Sequence, residues 1–243
     1  MHKFFVPPQN IFDDKVVIED KEDFNHFKVL HIKKGESIIV SDGMGNDYEA
    51  EVYKIDKDKV TAKIVNILPP VESNIDVTLY QALPKSTKMD LIVQKCTELG
   101  INSIVPVITE RVVVKWDDNS SKLNRWRRIA YESSKQCRRS RIPQVHEPMS
   151  FEELLNLIPT YDIFILPYET ENVVHLKDIM RADNNFKKIG IFIGPEGGFS
   201  NCEIIKATEK GARVVTLGSR ILRTETAGFV TVSIIMYEMG DIG

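Results

Sequence analysis

The sequence predicts an α/β protein in two parts, a small antiparallel β domain over residues 1–72 and a larger domain of alternating strands and helices over residues 73–243. Three observations carry this expectation. Residues 16–68 hold short β-branched runs separated by turn formers, whereas from Ile75 onward apolar strands alternate with helical segments. Between the two textures, Pro69-Pro70-Val71-Glu72-Ser73-Asn74 has no periodicity, and paired prolines bias the backbone away from continuing regular structure. A loop within a single domain is the competing reading of that break. The length favours two parts, since 243 residues exceed the common single-domain size of about 100–150.

In the first region, strands are expected over 37–40, 48–55 and 59–67. Asp42-Gly43-Met44-Gly45-Asn46 is a hairpin signal, because Gly and Asn tolerate the positive φ of tight turns, and Asp56-Lys57-Asp58 supplies a second turn. The result is a small antiparallel barrel or sheet. In the second region, strands are expected over 75–83, 103–108, 162–166, 189–193 and 213–217, with helices over 87–99, 124–136, 151–157, 201–210 and 226–239. Thr87 and Asp90 suggest a capping-box-like start, and Gly100 suits a helix exit. Strand–helix alternation implies a mainly parallel sheet covered by helices.

Composition narrows the function. Hydrophobic residues at 42% and charged residues at 28% fit a folded globular body and not a disordered one. A net charge of −3 gives no global pull toward nucleic acid, so any such role must rest on local clusters. Cys96, Cys137 and Cys202 stand far apart without a CxxC pair, so neither a metal site nor a disulfide framework is expected. The apolar run at Phe4-Phe5-Val6 is too short for a signal peptide, and nothing approaches the ~20 apolar residues that span a bilayer. A cytoplasmic protein without a membrane partner is expected.

In α/β sheets ligands sit beyond the carboxyl ends of strands, which directs attention to the last two strand exits. The first reads Gly194-Pro195-Glu196-Gly197-Gly198-Phe199-Ser200, where glycines let backbone amides approach a ligand and Ser200 with Glu203 forms an S-x-x-E capping box. It lacks the GKS or GKT ending of a P-loop and the GxGxxG spacing, which excludes those nucleotide motifs. A tight turn without a ligand is the plainer alternative. The second exit, Leu217-Gly218-Ser219-Arg220-Ile221-Leu222-Arg223-Thr224-Glu225-Thr226-Ala227, places Arg220, Arg223 and Glu225 together, as helix caps and surface charges or as catalytic groups.

Together these segments, GPEGGFS and LGSRILRTETA, resemble the RsmE family of the SPOUT superfamily of RNA methyltransferases. Met89-Asp90-Leu91-Ile92-Val93-Gln94-Lys95-Cys96-Thr97-Glu98-Leu99-Gly100 and Thr109-Glu110-Arg111, within residues 85–115, extend the likeness, which covers essentially the whole chain. The resemblance implies a SPOUT-type C-terminal domain with a deep trefoil knot, preceded by a PUA-like β-barrel. It also implies S-adenosylmethionine (SAM) as methyl donor, held by Leu166, Gly194, Pro195, Glu196, Gly197, Gly198, Leu217, Gly218, Ile221, Leu222 and Ala227, with no metal.

The implied reaction is methylation of uridine N3 in 16S ribosomal RNA, on naked RNA or in the assembled small subunit. Arg223 is the leading candidate to stabilise charge developing on the uracil oxygens and Arg139 the second, since guanidinium offers several donors and keeps its proton. Glu225 and Glu196 are open either as proton acceptors or as loop-ordering carboxylates. Residues 122–141 are the most basic stretch, with Arg125, Arg127, Arg128, Lys135, Arg138, Arg139 and Arg141, either a phosphate-binding face or a solvated helix. With Lys3 and His26, residues Arg125, Arg128, Arg138, Arg139 and Arg141 are the expected RNA contacts. His31 stands where the family commonly has arginine. The family implies a homodimer, with Phe229, Val232 and Ile235 of the last helix at its interface or in the core. A nonenzymatic RNA-binding protein and a SPOUT methyltransferase with another RNA target are the rival readings.

Overall fold

The computed structural model describes residues 1–243 except Pro70, Lys115, residues 117–119, Asn172, Asn184, Gly240 and Asp241, and the side chain of Ser120. Pro70 of the expected boundary and Lys115 at the end of the family-like segment thus lie outside the described residues. The chain divides into two compact units, Met1–Glu72 with Ser134–Ile142, and Ser73–Ser133 with Pro143–Gly243. A single cut after residue 72 does not include the return of Ser134–Ile142 to the first unit.

The first unit contains β1 (Lys3–Phe5), β2 (Ile11–Phe12), β3 (Lys15–Ile18), α1 (Lys21–Val29), β4 (Ser37–Ser41), β5 (Asp47–Ile55) and β6 (Val60–Leu68). Its six-stranded sheet runs β1-β4-β5-β6-β3-β2, parallel at β1·β4 and antiparallel elsewhere. Among the described residues it is a sheet with β1 and β2 at its edges, not the closed ring of pairs that a barrel implies. Pro7 and Pro8 separate these edge strands and have no N–H to donate to a ladder. Alternate residues Ile38, Val40, Ala50, Val52, Val60 and Ala62 face one core, which Phe24 and Phe27 of α1 complete. That helix interrupts a region expected to be all strand. The signal was present in Asp20, whose carboxylate caps the N–H groups of Glu22 and Asp23, and in the i, i+3 pair Phe24 and Phe27.

The segment 134–142 is held by buried polar groups within this unit. Glu72 pairs with Arg139 at 2.6 Å and accepts the N–H groups of Ser140 at 2.8 Å and Arg141 at 2.9 Å. Asp47 takes Lys3 at 2.6 Å and the Ser140 hydroxyl at 2.7 Å, while Lys135 meets Asp23 at 2.8 Å. Breaking one such buried pair leaves a charge uncompensated, at a cost of about 3–5 kcal/mol.

The second unit contains β7 (Asp76–Ala82), α2 (Lys88–Glu98), β8 (Ser103–Ile108), α3 (Ser120–Gln136, of which residues after Ser133 belong to the first unit), β9 (Gln144–Val145), β10 (Met149–Ser150), α4 (Phe151–Leu157), β11 (Ile163–Pro167), α5 (Leu176–Ala182), β12 (Lys188–Ile193), α6 (Asn201–Glu209), β13 (Arg213–Val215) and α7 (Thr224–Glu238). Every recorded strand pair is parallel, in the order β10-β8-β7-β12-β11-β13, with β9 also on β8. Val77, Leu79, Ile189 and Ile191 face a core built with α2, α5 and α7, whereas Tyr80, Ala82, Phe164 and Phe192 face one built with α4 and α6. Burial on both faces explains why these strands read as continuous apolar runs.

Thr87 precedes α2 but its side chain makes no cap hydrogen bond, contrary to expectation. On α7, Val232 and Ile235 are fully buried in the core and Phe229 packs against it, so core packing accounts for Val232 and Ile235. Among the described residues no helix is long and apolar enough to cross a membrane.

Candidate active site

The carboxyl ends of β11, β12 and β13 and the start of α7 surround a cavity of about 440 Å3. This lies within the ~300–1,000 Å3 typical of small-molecule sites. The β12 exit contributes Ile193, Gly194, Pro195, Glu196 and Gly198. Its turn closes through the Gly198 N–H donating to the Pro195 carbonyl at 2.9 Å, with Gly198 at φ +67°. Glycine is favoured there because the backbone is left-handed; a Cβ would also stand 2.8 Å from Glu169 Oε1, which the carboxylate could relieve by shifting. The turn then enters α6 through the expected capping box, with Ser200 Oγ accepting from Glu203 N–H at 3.3 Å and Glu203 Oε2 accepting from Ser200 N–H at 2.9 Å.

The β13 exit contributes Leu217, Gly218, Ser219, Arg220, Ile221, Leu222 and Arg223. Gly218, at φ +113°, starts the turn, and its N–H donates to the Thr216 hydroxyl at 3.1 Å. A buried relay joins the two exits. Gln81 Nε2 donates to Thr224 Oγ1 at 2.9 Å, and Thr224 Oγ1 donates to the Gly194 carbonyl at 2.6 Å.

A second connection is ionic. Lys88, the first residue of α2, stands 2.9 Å from Glu196 Oε1 and 3.2 Å from Glu225 Oε2. Its hydrogen bond to Glu196 raises the ammonium above its ordinary value, with Glu225 adding to this against partial desolvation. Burial pushes the Glu196 carboxyl upward, but Lys88 and backbone N–H groups, including that of Lys85, outweigh it and hold the group below its usual range.

Most of the expected cofactor residues therefore meet: Gly194, Pro195, Glu196, Gly198, Leu217, Gly218, Ile221, Leu222 and Ala227 all line one cavity. Two do not. Leu166 is fully buried in the core beneath α4 and α6, and the chain reaches the cavity only at Pro167, Tyr168 and Glu169. Alternation along β11 explains this, since side chains before the strand end belong to the two cores. Gly197 points its carbonyl outward to Arg111, whose Nη1 donates at 2.9 Å, and is absent from the lining.

Arg223 lines the cavity, exposed, and its side chain has no hydrogen bond or ion pair among the described residues. Arg139 instead is buried against Glu72 in the first unit, which removes its guanidinium from the free groups. The Lys3 side chain likewise is only 6% exposed, on Asp47 and the Arg138 carbonyl. Arg125 is exposed but pairs with Asp90 at 2.7 Å, and Arg141 approaches the Met44 carbonyl at 3.4 Å. His26, Arg128 and Arg138 are exposed. Of the lining residues that sequence reasoning missed, Lys88, Tyr168 and Glu169 follow from extending the strand-exit rule to β7 and β11, while Thr216 and Thr224 lie at the β13 exit itself, where nothing local marks them.

Apolar walls from Ile193, Leu217, Ile221 and Leu222, with charged groups at the rim, suit a ligand having an apolar heteroaromatic body and a charged tail. Among the described residues no group of three or more His, Cys, Asp and Glu could hold a metal ion.

Residues 71–236 match the model of an RNA methyltransferase domain, and residues 18–65 that of an RNA methyltransferase PUA domain. The chain is 34% identical to the ribosomal RNA small subunit methyltransferase E of Aquifex aeolicus over 97% of this chain and 99% of that one. It is 32% identical to the enzyme of the same name from Bacillus subtilis, covering 89% and 88%. The crystal structure of a ribosomal RNA small subunit methyltransferase E from Neisseria gonorrhoeae bound to S-adenosyl methionine superposes with a TM-score of 0.86 at 30% identity, over 98% of this chain and 97% of that one.

Proposed function

Because the chain belongs to the RsmE family of ribosomal RNA small subunit methyltransferases, we propose that it transfers the SAM methyl group to N3 of a uridine in 16S ribosomal RNA of the small subunit. The observation that carries this reading is the cavity formed where both glycine-bearing strand exits converge, tied by the Gln81–Thr224–Gly194 relay. The same reading includes the trefoil knot, a homodimer and a cytoplasmic setting. The hydrogen bond from Thr224 to the Gly194 carbonyl, which packs the start of α7 against the end of β12, is compatible with that reading.

When bound, SAM supplies a methyl group on a positively charged sulfonium. The chain's residues would hold it: Leu217, Ile221 and Leu222 offer apolar surface, and the open backbone of Gly218, where a Cβ would meet nothing within 4 Å, allows close approach. Arg223 stands free at the rim to donate hydrogen bonds to a uracil oxygen as N3 gives up its proton to solvent water. Proximity and alignment account for much of the remaining rate. Glu196 and Glu225 both face Lys88, which favours their reading as loop-ordering groups over that of a free base. Arg139 is not retained as a catalytic group. The exposed His26, Arg125, Arg128 and Arg138, together with Arg141, remain as RNA contacts, to which Arg220 at the cavity rim is added.

Nucleoside mapping of 16S RNA tests the reading. Cells lacking the protein should lose one N3-methyluridine, and reintroducing it should restore the mark. A different missing nucleoside would assign another target to the same cavity.

A further inference from the structure

We propose that Lys88 is a positioning residue that clamps the two cavity loops together through Glu196 and Glu225; the inference rests on reading this cavity as the SAM site. Its surroundings break three local rules. Lysine at the first helical position stands at the positive end of the helix dipole, where cations are disfavoured. Thr87 occupies the cap position without making a side-chain cap bond. Ser86, a non-glycine residue, adopts φ +57°, a left-handed conformation that L side chains rarely take. Such local costs concentrate where function demands a fixed geometry.

What the segment gains is connection. Glu196 Oε1 accepts the Lys85 N–H at 3.1 Å and pairs with Lys88 at 2.9 Å, so the β7–α2 connection grips the β12 exit at two points. The same ammonium reaches Glu225 Oε2 at 3.2 Å, one residue inside α7, and that oxygen is buried without any hydrogen bond of good geometry. Glu196 lies in the β12 exit loop and Glu225 in the first turn of α7, directly after the β13 exit loop. Without the ammonium between them, two like charges would face each other across the gap and drive the loops apart. Lys88 therefore acts on the cavity through the carboxylates and has no need to touch the transferred methyl group.

The experiment compares Lys88→Met and Lys88→Arg with Lys95→Met, which removes an i, i+3 surface pair with Glu98 on the same helix. Amide hydrogen exchange is read on the ligand-free protein and SAM affinity by calorimetry. The clamp predicts faster exchange in both residues 194–198 and residues 218–225 of Lys88→Met, a SAM Kd raised about three- to tenfold, kcat at saturating SAM reduced less than KM rises, and recovery of all these in Lys88→Arg. Lys95→Met should match the wild type. Unchanged exchange in either loop, a Kd changed less than about twofold, or no recovery with arginine overturns the clamp. If Lys88→Met unfolds, the exchange and affinity of Glu225→Gln decide by the same criteria. Failure of the wild-type protein to bind SAM would sink the parent reading, while the exchange result would still judge the clamp.

Discussion

Thr224 Oγ1 donates a 2.6 Å hydrogen bond to the carbonyl of Gly194, fastening the first residue of the last helix to the first residue beyond β12. Gln81, fully buried on β7, supplies the other half of the relay by donating to the same hydroxyl. Valine in place of Thr224 keeps the shape but removes the donor to the half-buried Gly194 carbonyl and one acceptor of the buried Gln81 amide, which keeps its bond to the Ala82 carbonyl, at about 1–3 kcal/mol. Gln81→Leu leaves the Thr224–Gly194 bond and removes the Gln81 Oε1 atom that has no partner. Urea denaturation should therefore show Thr224→Val losing more stability than Gln81→Leu, with SAM binding weakened in the same order.

Gly190 is the position least able to take a side chain. It pairs with Phe164 across β12 and β11, and a Cβ there would stand 2.3 Å from the Phe164 ring. Phe164 cannot swing aside, being packed against Tyr80 and Tyr161. Gly190→Ala should cost at least the ~1–3 kcal/mol of ordinary overpacking. Its effect should appear as a lowered urea midpoint at an unchanged slope.

Arg223→Ala should reduce turnover about 10–100-fold, below or at the lower end of the loss of a dedicated oxyanion donor, while SAM affinity stays within a few-fold. Single-turnover methyl transfer checks this together with calorimetry. Unchanged turnover would take Arg223 off the catalytic list.

Asp162 accepts the N–H groups of Lys187 and Lys188, each at 2.8 Å, and these bonds hold its carboxyl below the usual aspartate range. A depressed folded-state value means that its stabilising contribution is complete above the unfolded value of about 4 and disappears as pH falls through the folded value. The difference in urea midpoint between wild type and Asp162→Asn should be largest near neutrality and should close toward pH 2.

Much of this architecture was legible because it depends on pattern. Two-sided burial made the β7, β11 and β12 runs visible, and the Ser200–Glu203 box announced α6. Helix α1 was hidden by its brevity among strands, although Asp20 and the Phe24–Phe27 pair marked it. The departures at the site have a common cause. Leu166, Arg139 and Lys3 are of residue types that fit a ligand or RNA equally well, and only tertiary pairing shows Leu166 in a core and the two cations on Glu72 and Asp47. The Lys88 bridge joins segments more than 100 positions apart, beyond the reach of local periodicity.

The most direct test is transfer of labelled methyl from SAM to small ribosomal subunits isolated from cells lacking this protein, followed by nucleoside mass analysis. The account predicts label in N3-methyluridine of 16S RNA, strongly reduced with Arg223→Ala. Label in another nucleoside, or no transfer by a protein that binds SAM under conditions where an established family member is active, would contradict it.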